Sequence, residues 1–249
     1  MENKKQIAKG DNIVQSNINV QGDYIVGIQE ERVMELIKTH CTVNKEEIIE
    51  LVKKTIEEIP DEKFILPQKR IFVPVIQKLS YSTDEDIIKS AYLKLLESSM
   101  TKEKSFTVHP SFVRIIDELC PDEIKILNEV PLFVSSYKPL IDLRMIIGEQ
   151  EGNGIIQVSN FTDIGYGICE YPNKICDYIE NMERLKIIEI PSMRTLINKE
   201  KYQSLENHPA ILEVMEKNIS TDSIKISYKF DEKCFSLTSF GASFLKCCK

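Results

Sequence analysis

The chain has 249 residues, enough for two modest domains with a real core. Apolar residues make up 42 % and charged residues 29 %, an ordinary globular balance. A net charge of −7 weighs against bulk, non-specific nucleic-acid binding, which needs an excess of Lys and Arg, and no apolar run is long enough to span a bilayer.

Residues 1–29 differ in composition from all that follows. Gly10-Asp11 recurs as Gly22-Asp23, and Gly-Asp is turn chemistry: Gly tolerates positive φ, and Asp bonds its own backbone. Between and after the turns, Ile13, Ile18, Val20, Ile25 and Val26 are interleaved with Asn and Gln as far as Gly27. The pattern predicts a β-hairpin or two rungs of a small β-stack. An isolated hairpin is marginal in water, so this segment wants a partner: its own globular body, another copy, or another protein. Uncharged strands rich in Asn and Gln also favour self-stacking. Gly10, Asp11, Ile13, Ile18, Val20, Gly22, Asp23, Ile25 and Gly27 are the candidate assembly residues; the bland alternative is a docked or disordered arm.

A helical region follows. Residues 30–39 and 45–58 carry helical patterns, the second with Ile48, Val52, Ile56 and Ile59 on one face, Asn44 as N-cap and Glu47 at the capping-box position. Residues 68–79 read as a short helix interrupted near Pro74. Residues 84–100 form the clearest helix, with Ile88, Ala91, Tyr92, Leu95 and Leu96 on its face. His109-Pro110 opens a helix through Leu119, and Pro121-Asp122-Glu123 opens another, with proline in the first turn and acids answering the helix dipole. These segments should pack as a bundle.

From about residue 131 the pattern changes. Residues 139–158, with Gly148, Gly152 and Gly154, read as a long loop. A helix from Pro172 to Leu185 runs into a short strand at 187–191. Residues 224–230 and 234–237 alternate about Asp231-Glu232-Lys233 and read as a hairpin, and Thr238 caps a last helix. Helix, strand, hairpin and helix together give a winged-helix-like string. The expected fold is therefore mainly α with a small α+β part: an N-terminal segment at 1–29, a helical bundle at 30–135 and a winged-helix-like module at 136–249.

The chemistry-bearing residues each have a structural alternative. His109 is of the residue type that serves as a general base and Ser111 is a nucleophile type, but His-Pro before an amphipathic helix is also a natural helix start, and no third group completes a triad. Asp122 and Glu123 in a first turn answer the macrodipole more simply than they make an acid pair. Asn181 and Arg184 are suited either to a phosphate or to pinning the helix in place. Cys169 and Cys176 lie seven apart and Cys247-Cys248 are adjacent, which does not match structural zinc spacing, and Gly148, Gly152 and Gly154 lack the setting of a phosphate loop. The seven cysteines read as thiols of a reducing compartment. No catalytic, cofactor or metal residue is assigned. Met1-Glu2-Asn3-Lys4-Lys5 leads into polar sequence rather than a signal-peptide core, so a cytoplasmic location is the expectation.

Four blocks resemble the abortive infection alpha family over roughly residues 64–247. Ile65-Leu66-Pro67 with Pro74 resembles its proline-bearing lead-in. Ala91 to Met100, then His109-Pro110 with Phe112, then Cys120-Pro121-Asp122-Glu123 follows the family's central element, with Cys120 where serine is usual. Asn181-Met182-Glu183-Arg184-Leu185-Lys186-Ile187-Ile188 is similar to its next motif, with Met182 and Lys186 replacing leucine and glycine. Leu237-Thr238-Ser239-Phe240-Gly241, with Phe244, matches its ending. The resemblance implies a place in prokaryotic antiphage defence and does not imply an enzymatic activity. The N-terminal repeat lies outside it and is loosely similar to short amyloid motifs of cell-death signalling. The leading expectation is an interaction or sensor-adaptor protein that homo-oligomerises through the Gly-Asp repeat or joins another defence-system protein. The alternatives are a nucleic-acid-binding regulator, not favoured by the sparse Lys174, Arg184 and Lys186, and a nuclease-type effector.

Overall fold

The structure is a computed structural model and describes residues 27, 29–41, 43–81, 86–148, 154–217 and 225–249. The chain divides into two compact units at Val113/Arg114. It is mostly helical, with one four-stranded antiparallel sheet among the described residues.

The first unit holds α1 (residues 29–40), α2 (Lys45–Glu57), α3 (Lys69–Leu79), α4 (Asp86–Met100) and the start of α5 (Ser111–Glu118). The expected helices are thus present, and α4 packs against both α2 and α3. Its buried face is Ile88, Ala91, Tyr92, Leu95 and Leu96, as the 3.6-residue period requires, and it meets a core that includes Val52, Ile56, Phe72 and Ile76. Two details differ from the sequence reading. Helix α3 runs unbroken across Pro74, because one missing backbone donor is tolerated where Ile71, Phe72, Val75, Ile76 and Leu79 are all buried. Asn44 does not cap α2 with its side chain. It sits at φ 51° and its amide instead donates to the Ser80 carbonyl at 3.3 Å, while Glu47 takes Lys89 at 3.2 Å. After α4 the chain is fastened to the lead-in by Ile65 N–H to the Met100 carbonyl and Lys102 N–H to the Lys63 carbonyl, each 2.8 Å.

The second unit holds the rest of α5, then α6 (Pro121–Glu129), β1 (Lys138–Ile147), β2 (Ile155–Phe161), α7 (Ile175–Arg184), β3 (Ile188–Glu189), α8 (Glu200–Glu206), α9 (Pro209–Lys217), β4 (Ile226–Leu237) and α10 (Ser239–Cys248). Strand order is β2-β1-β4-β3. Helix α7 packs on β2 and β3, and α8 on β1.

This sheet overturns two expectations. Residues 139–158 are not a loop but contain most of β1 and the start of β2, and residues 224–237 are not a hairpin: β4 runs straight through Asp231-Glu232-Lys233 and pairs with β1 from Ile226↔Ile147 to Phe235↔Lys138. The winged-helix-like reading rested on that hairpin. Three consecutive charged residues look like a turn, but here they stay in the strand because each finds a partner.

The register sets Asp142 of β1 directly opposite Asp231 of β4, a repulsive pairing taken alone. Each carboxylate is satisfied diagonally. Lys233 reaches Asp142 at 2.8 Å and Arg144 reaches Asp231 at 3.0 Å, while Glu232 on the other face takes Lys199. Asp142, only 6 % exposed, also accepts Asn160 N–H at 2.8 Å, which anchors β2 where Asn160 adopts φ 57°. Removing a partner from such a buried pair leaves the other charge uncompensated. Asp142→Ala should therefore lower unfolding free energy by about 2–3 kcal/mol in urea titrations, whereas Lys229→Ala, whose 3.8 Å pairing is mostly exposed, should change it little.

Candidate functional site

The motif residues of the second unit converge at two junctions. The first is built on the N-terminus of α6. Pro121 occupies the first turn, and Glu123 reaches back so that its Oε2 accepts Cys120 N–H at 2.7 Å. Asp122 faces the segment that precedes α7. Its Oδ1 accepts Glu170 N–H and Lys125 Nζ, both at 2.9 Å. Its Oδ2 accepts Tyr171 N–H at 2.9 Å and the Tyr178 hydroxyl at 3.1 Å.

Burial pushes the Asp122 carboxyl up, but the four donors outweigh it and bring it down to about 2. Tyr178, buried and facing this charge, is shifted upward. Burial raises Glu123 above its ordinary value, with Cys120 N–H and the Asn181 amide pulling the other way. Asn181 joins three groups. Its Nδ2 donates to Glu123 Oε1 at 2.7 Å and to the Glu118 carbonyl at 3.0 Å, and its Oδ1 accepts from Arg184 at 2.6 Å. Arg184 also reaches Glu118 at 2.7 Å, and Arg114 shares the same carboxylate. Cys169 and Cys176 nearby are both raised to about 11 by burial, which makes them poor thiolates at neutral pH.

The second junction lies at the end of α7. Lys186 N–H bonds the Glu183 carbonyl at 2.9 Å and Ile187 N–H bonds the Met182 carbonyl at 3.0 Å, a Schellman ending with Lys186 at φ 58°. Met182 and Ile187, both fully buried, supply its apolar contact, while Leu185 is the C-cap. Lys186, where the resemblance has glycine, is therefore the one residue of this turn that needs a left-handed backbone. Thr238 docks on this turn. Its hydroxyl donates to the Lys186 carbonyl at 2.6 Å, accepts Gly241 N–H at 2.8 Å and so caps α10. Gly241 sits so close that an added Cβ would lie 2.0 Å from the Ile187 carbonyl oxygen. Phe244 is buried one turn on.

In the first unit, Phe112 is a core residue, and His109 is exposed just before α5. His109 Nδ1 accepts Ser111 N–H at 3.2 Å and lies 2.6 Å from the Ser111 hydroxyl, so the imidazole closes the helix N-terminus, with Pro110 between them. Of the assembly residues, Gly10, Asp11, Ile13, Ile18, Val20, Gly22, Asp23 and Ile25 lie outside the described residues, while Gly27 is described and helical. Sequence reasoning missed Tyr178, Glu118 and Lys125. Tyr178 was the most accessible of these, since it lies on the apolar face of α7 that also carries Ile175, Ile179 and Met182. Among the described residues, no helix is long and apolar enough to cross a membrane, and no group of three His, Cys, Asp or Glu side chains is placed to hold a metal ion.

Acids, an asparagine, a threonine and a glycine thus lock the helix termini of the second unit. The family model for abortive infection alpha matches residues 42–248, and the chain belongs to that family. This ties it to abortive-infection defence. No curated protein and no solved structure matches.

Two outcomes test these junctions. The folded Asp122 carboxyl lies below its unfolded value near 3.8, so its contribution is complete above pH 4 and lost as pH falls through about 2. The shift corresponds to roughly 2 kcal/mol. Asp122→Asn should accordingly cost stability at pH 7 and flatten the dependence between pH 4 and 2, read by urea unfolding at each pH. Lys186→Gly should raise unfolding free energy by about 1 kcal/mol by relieving the left-handed lysine; a lower value would show that the lysine side chain contributes more than the backbone conformation costs.

Proposed function

We propose that this protein serves abortive-infection defence as an interaction and adaptor protein that assembles through the Gly10–Gly27 repeat. The observation that carries the reading is what the family motifs do. Asp122, Glu123, Asn181, Arg184, Thr238 and Gly241 spend their polar groups or close approaches on helix termini and on the bonds that join elements. A carboxylate fixed by four donors and shifted to about 2 is a poor proton acceptor at neutral pH. The signature therefore supports a scaffold, and the segment with partner-seeking composition is the repeat that precedes it. The partner is another copy of the chain or a second defence-system protein, and a cytoplasmic setting suits seven cysteines that form no disulfide.

One contact favours a second reading, a hydrolytic effector: the 2.6 Å approach of His109 Nδ1 to the Ser111 hydroxyl. It is the weaker reading, because the same nitrogen accepts the Ser111 backbone N–H. The two readings separate experimentally. Size-exclusion chromatography with light scattering should give a higher-order species for the full chain and a monomer for a chain beginning at Glu30, and that shorter chain should lose phage protection. His109→Ala should keep it. Monomers in both cases would overturn the assembly reading, and loss of protection in a folded His109→Ala chain would favour the effector.

A further inference from the structure

Two loops of the second unit carry large apolar side chains that the described residues leave in water. One is residues 131–137, between α6 and β1, and the other is residues 190–199, between β3 and α8. Met193 and Ile197 are each 99 % exposed and Phe133 is 79 % exposed. Arg194 joins the loops: its guanidinium bonds the Tyr137 hydroxyl and lies 4.7 Å from the centre of that ring. Three such side chains on joined loops forfeit the burial that drives folding, and an apolar cluster of this kind on a surface marks a contact.

The second loop is fastened from beneath, so the fold itself holds its apolar side chains outward. The Tyr202 hydroxyl accepts Leu196 N–H at 2.7 Å and donates to the Lys233 carbonyl at 2.9 Å, and the Cys234 thiol donates to the Arg194 carbonyl at 3.3 Å. The backbone at 194 and 196 is thus tied to β4, while Met193 and Ile197 on either side point into solvent. The charge is as selective as the exposure. The chain has 39 acidic residues against 32 basic ones, yet residues 130–141 and 190–199 contain no Asp or Glu. Their cations are Lys138, Arg194 and Lys199. Lys199 is taken by Glu232, whereas Lys138 and Arg194 have no ion pair with a described residue. Glu189, just before the second loop, lines the same hollow as Arg194 and offsets part of its charge.

We propose that the two loops form a docking surface for an anionic lipid bilayer, with Phe133, Met193 and Ile197 entering the interface and Arg194, paired with Tyr137, meeting the phosphates. Projecting apolar side chains with no acid among them suit a partner that has no fixed shape. They enter the boundary of the acyl chains, while a guanidinium and a phenol beside them stay at headgroup depth. A protein interface instead packs its apolar side chains into a continuous core with interior-like complementarity, which separate projections do not form. The contact is peripheral: no described helix is long and apolar enough to cross a membrane. It does not depend on the assembly reading above.

Vesicle flotation of the full chain tests it. The chain should float with phosphatidylcholine vesicles that contain phosphatidylglycerol, and less with phosphatidylcholine alone. A Met193→Ser/Ile197→Ser chain with an unchanged circular dichroism spectrum should lose flotation with both. Arg194→Gln should weaken binding to the anionic vesicles about fivefold, the contribution of one basic group at such a surface, and leave binding to phosphatidylcholine unchanged. The chain has no tryptophan, so Phe133→Trp introduces a single indole. Its emission should move to shorter wavelength on anionic vesicles and be quenched by brominated lipid. Phe106→Trp, at an exposed phenylalanine of the first unit, should not respond. Absence of flotation with anionic vesicles, flotation that survives Met193→Ser/Ile197→Ser, or equal quenching at both tryptophans would overturn the proposal. So would a Phe133→Trp emission that shifts with protein concentration in the absence of lipid, which would make another copy of the chain the occupant.

Discussion

The second unit depends on one buried carboxylate. Asp122 sits at the N-terminus of α6, where the helix dipole already favours a negative charge, and it gathers donors from residues 48 to 56 positions further along. Two of these are backbone N–H groups at 170 and 171 and one is the Tyr178 hydroxyl on α7; a fourth donor, Lys125, lies three residues away on its own helix. A charge this deep would be costly if unpaired. Fully paired, it fixes where the chain re-enters the fold before α7, and α7 then carries Asn181 and Arg184 back to the end of α5. The arrangement is mutually supporting: Asn181 is placed by the helix that Asp122 orients, and it satisfies Glu123, the neighbour of Asp122.

The same helix passes the constraint onward. Its Schellman ending turns the chain into β3, and the Lys186 and Ile187 carbonyls exposed by that turn receive Thr238, which starts α10. Gly241 is required because a helix that begins by bonding this turn must also lie against it. Three family motifs, far apart in sequence, thus describe two ends of one helix.

Much of the helical architecture was legible in the chain. Ile88, Ala91, Tyr92, Leu95 and Leu96 announce α4 by spacing alone, and Pro121 with its two acids announces α6. The sheet was not. Leu140 to Ile147 is buried on both faces at its start, so it lacks the alternation that identifies a half-exposed strand, and the glycines beyond it suggest a loop. Asp231-Glu232-Lys233 misleads for a different reason: charges that look like a turn are neutralised by Arg144, Lys199 and Asp142, partners that only the register supplies. At the candidate site, Asp122 and Glu123 could be placed in a first turn, but their partners could not. Backbone donors leave no mark in the residue types at 170 and 171. Asn44 shows the limit at the smallest scale, since its αL backbone points its amide to Ser80 rather than to its own helix.

The backbone donors at 170 and 171 have an evolutionary consequence. A carboxylate that grips main-chain N–H groups constrains where a segment lies and says nothing about which side chains it carries. Residue 122 is thereby tied to an acid of one length, whereas positions 170 and 171 can drift through almost any residue that retains an amide hydrogen. A contact of this kind preserves shape while leaving the surface beside it open to change.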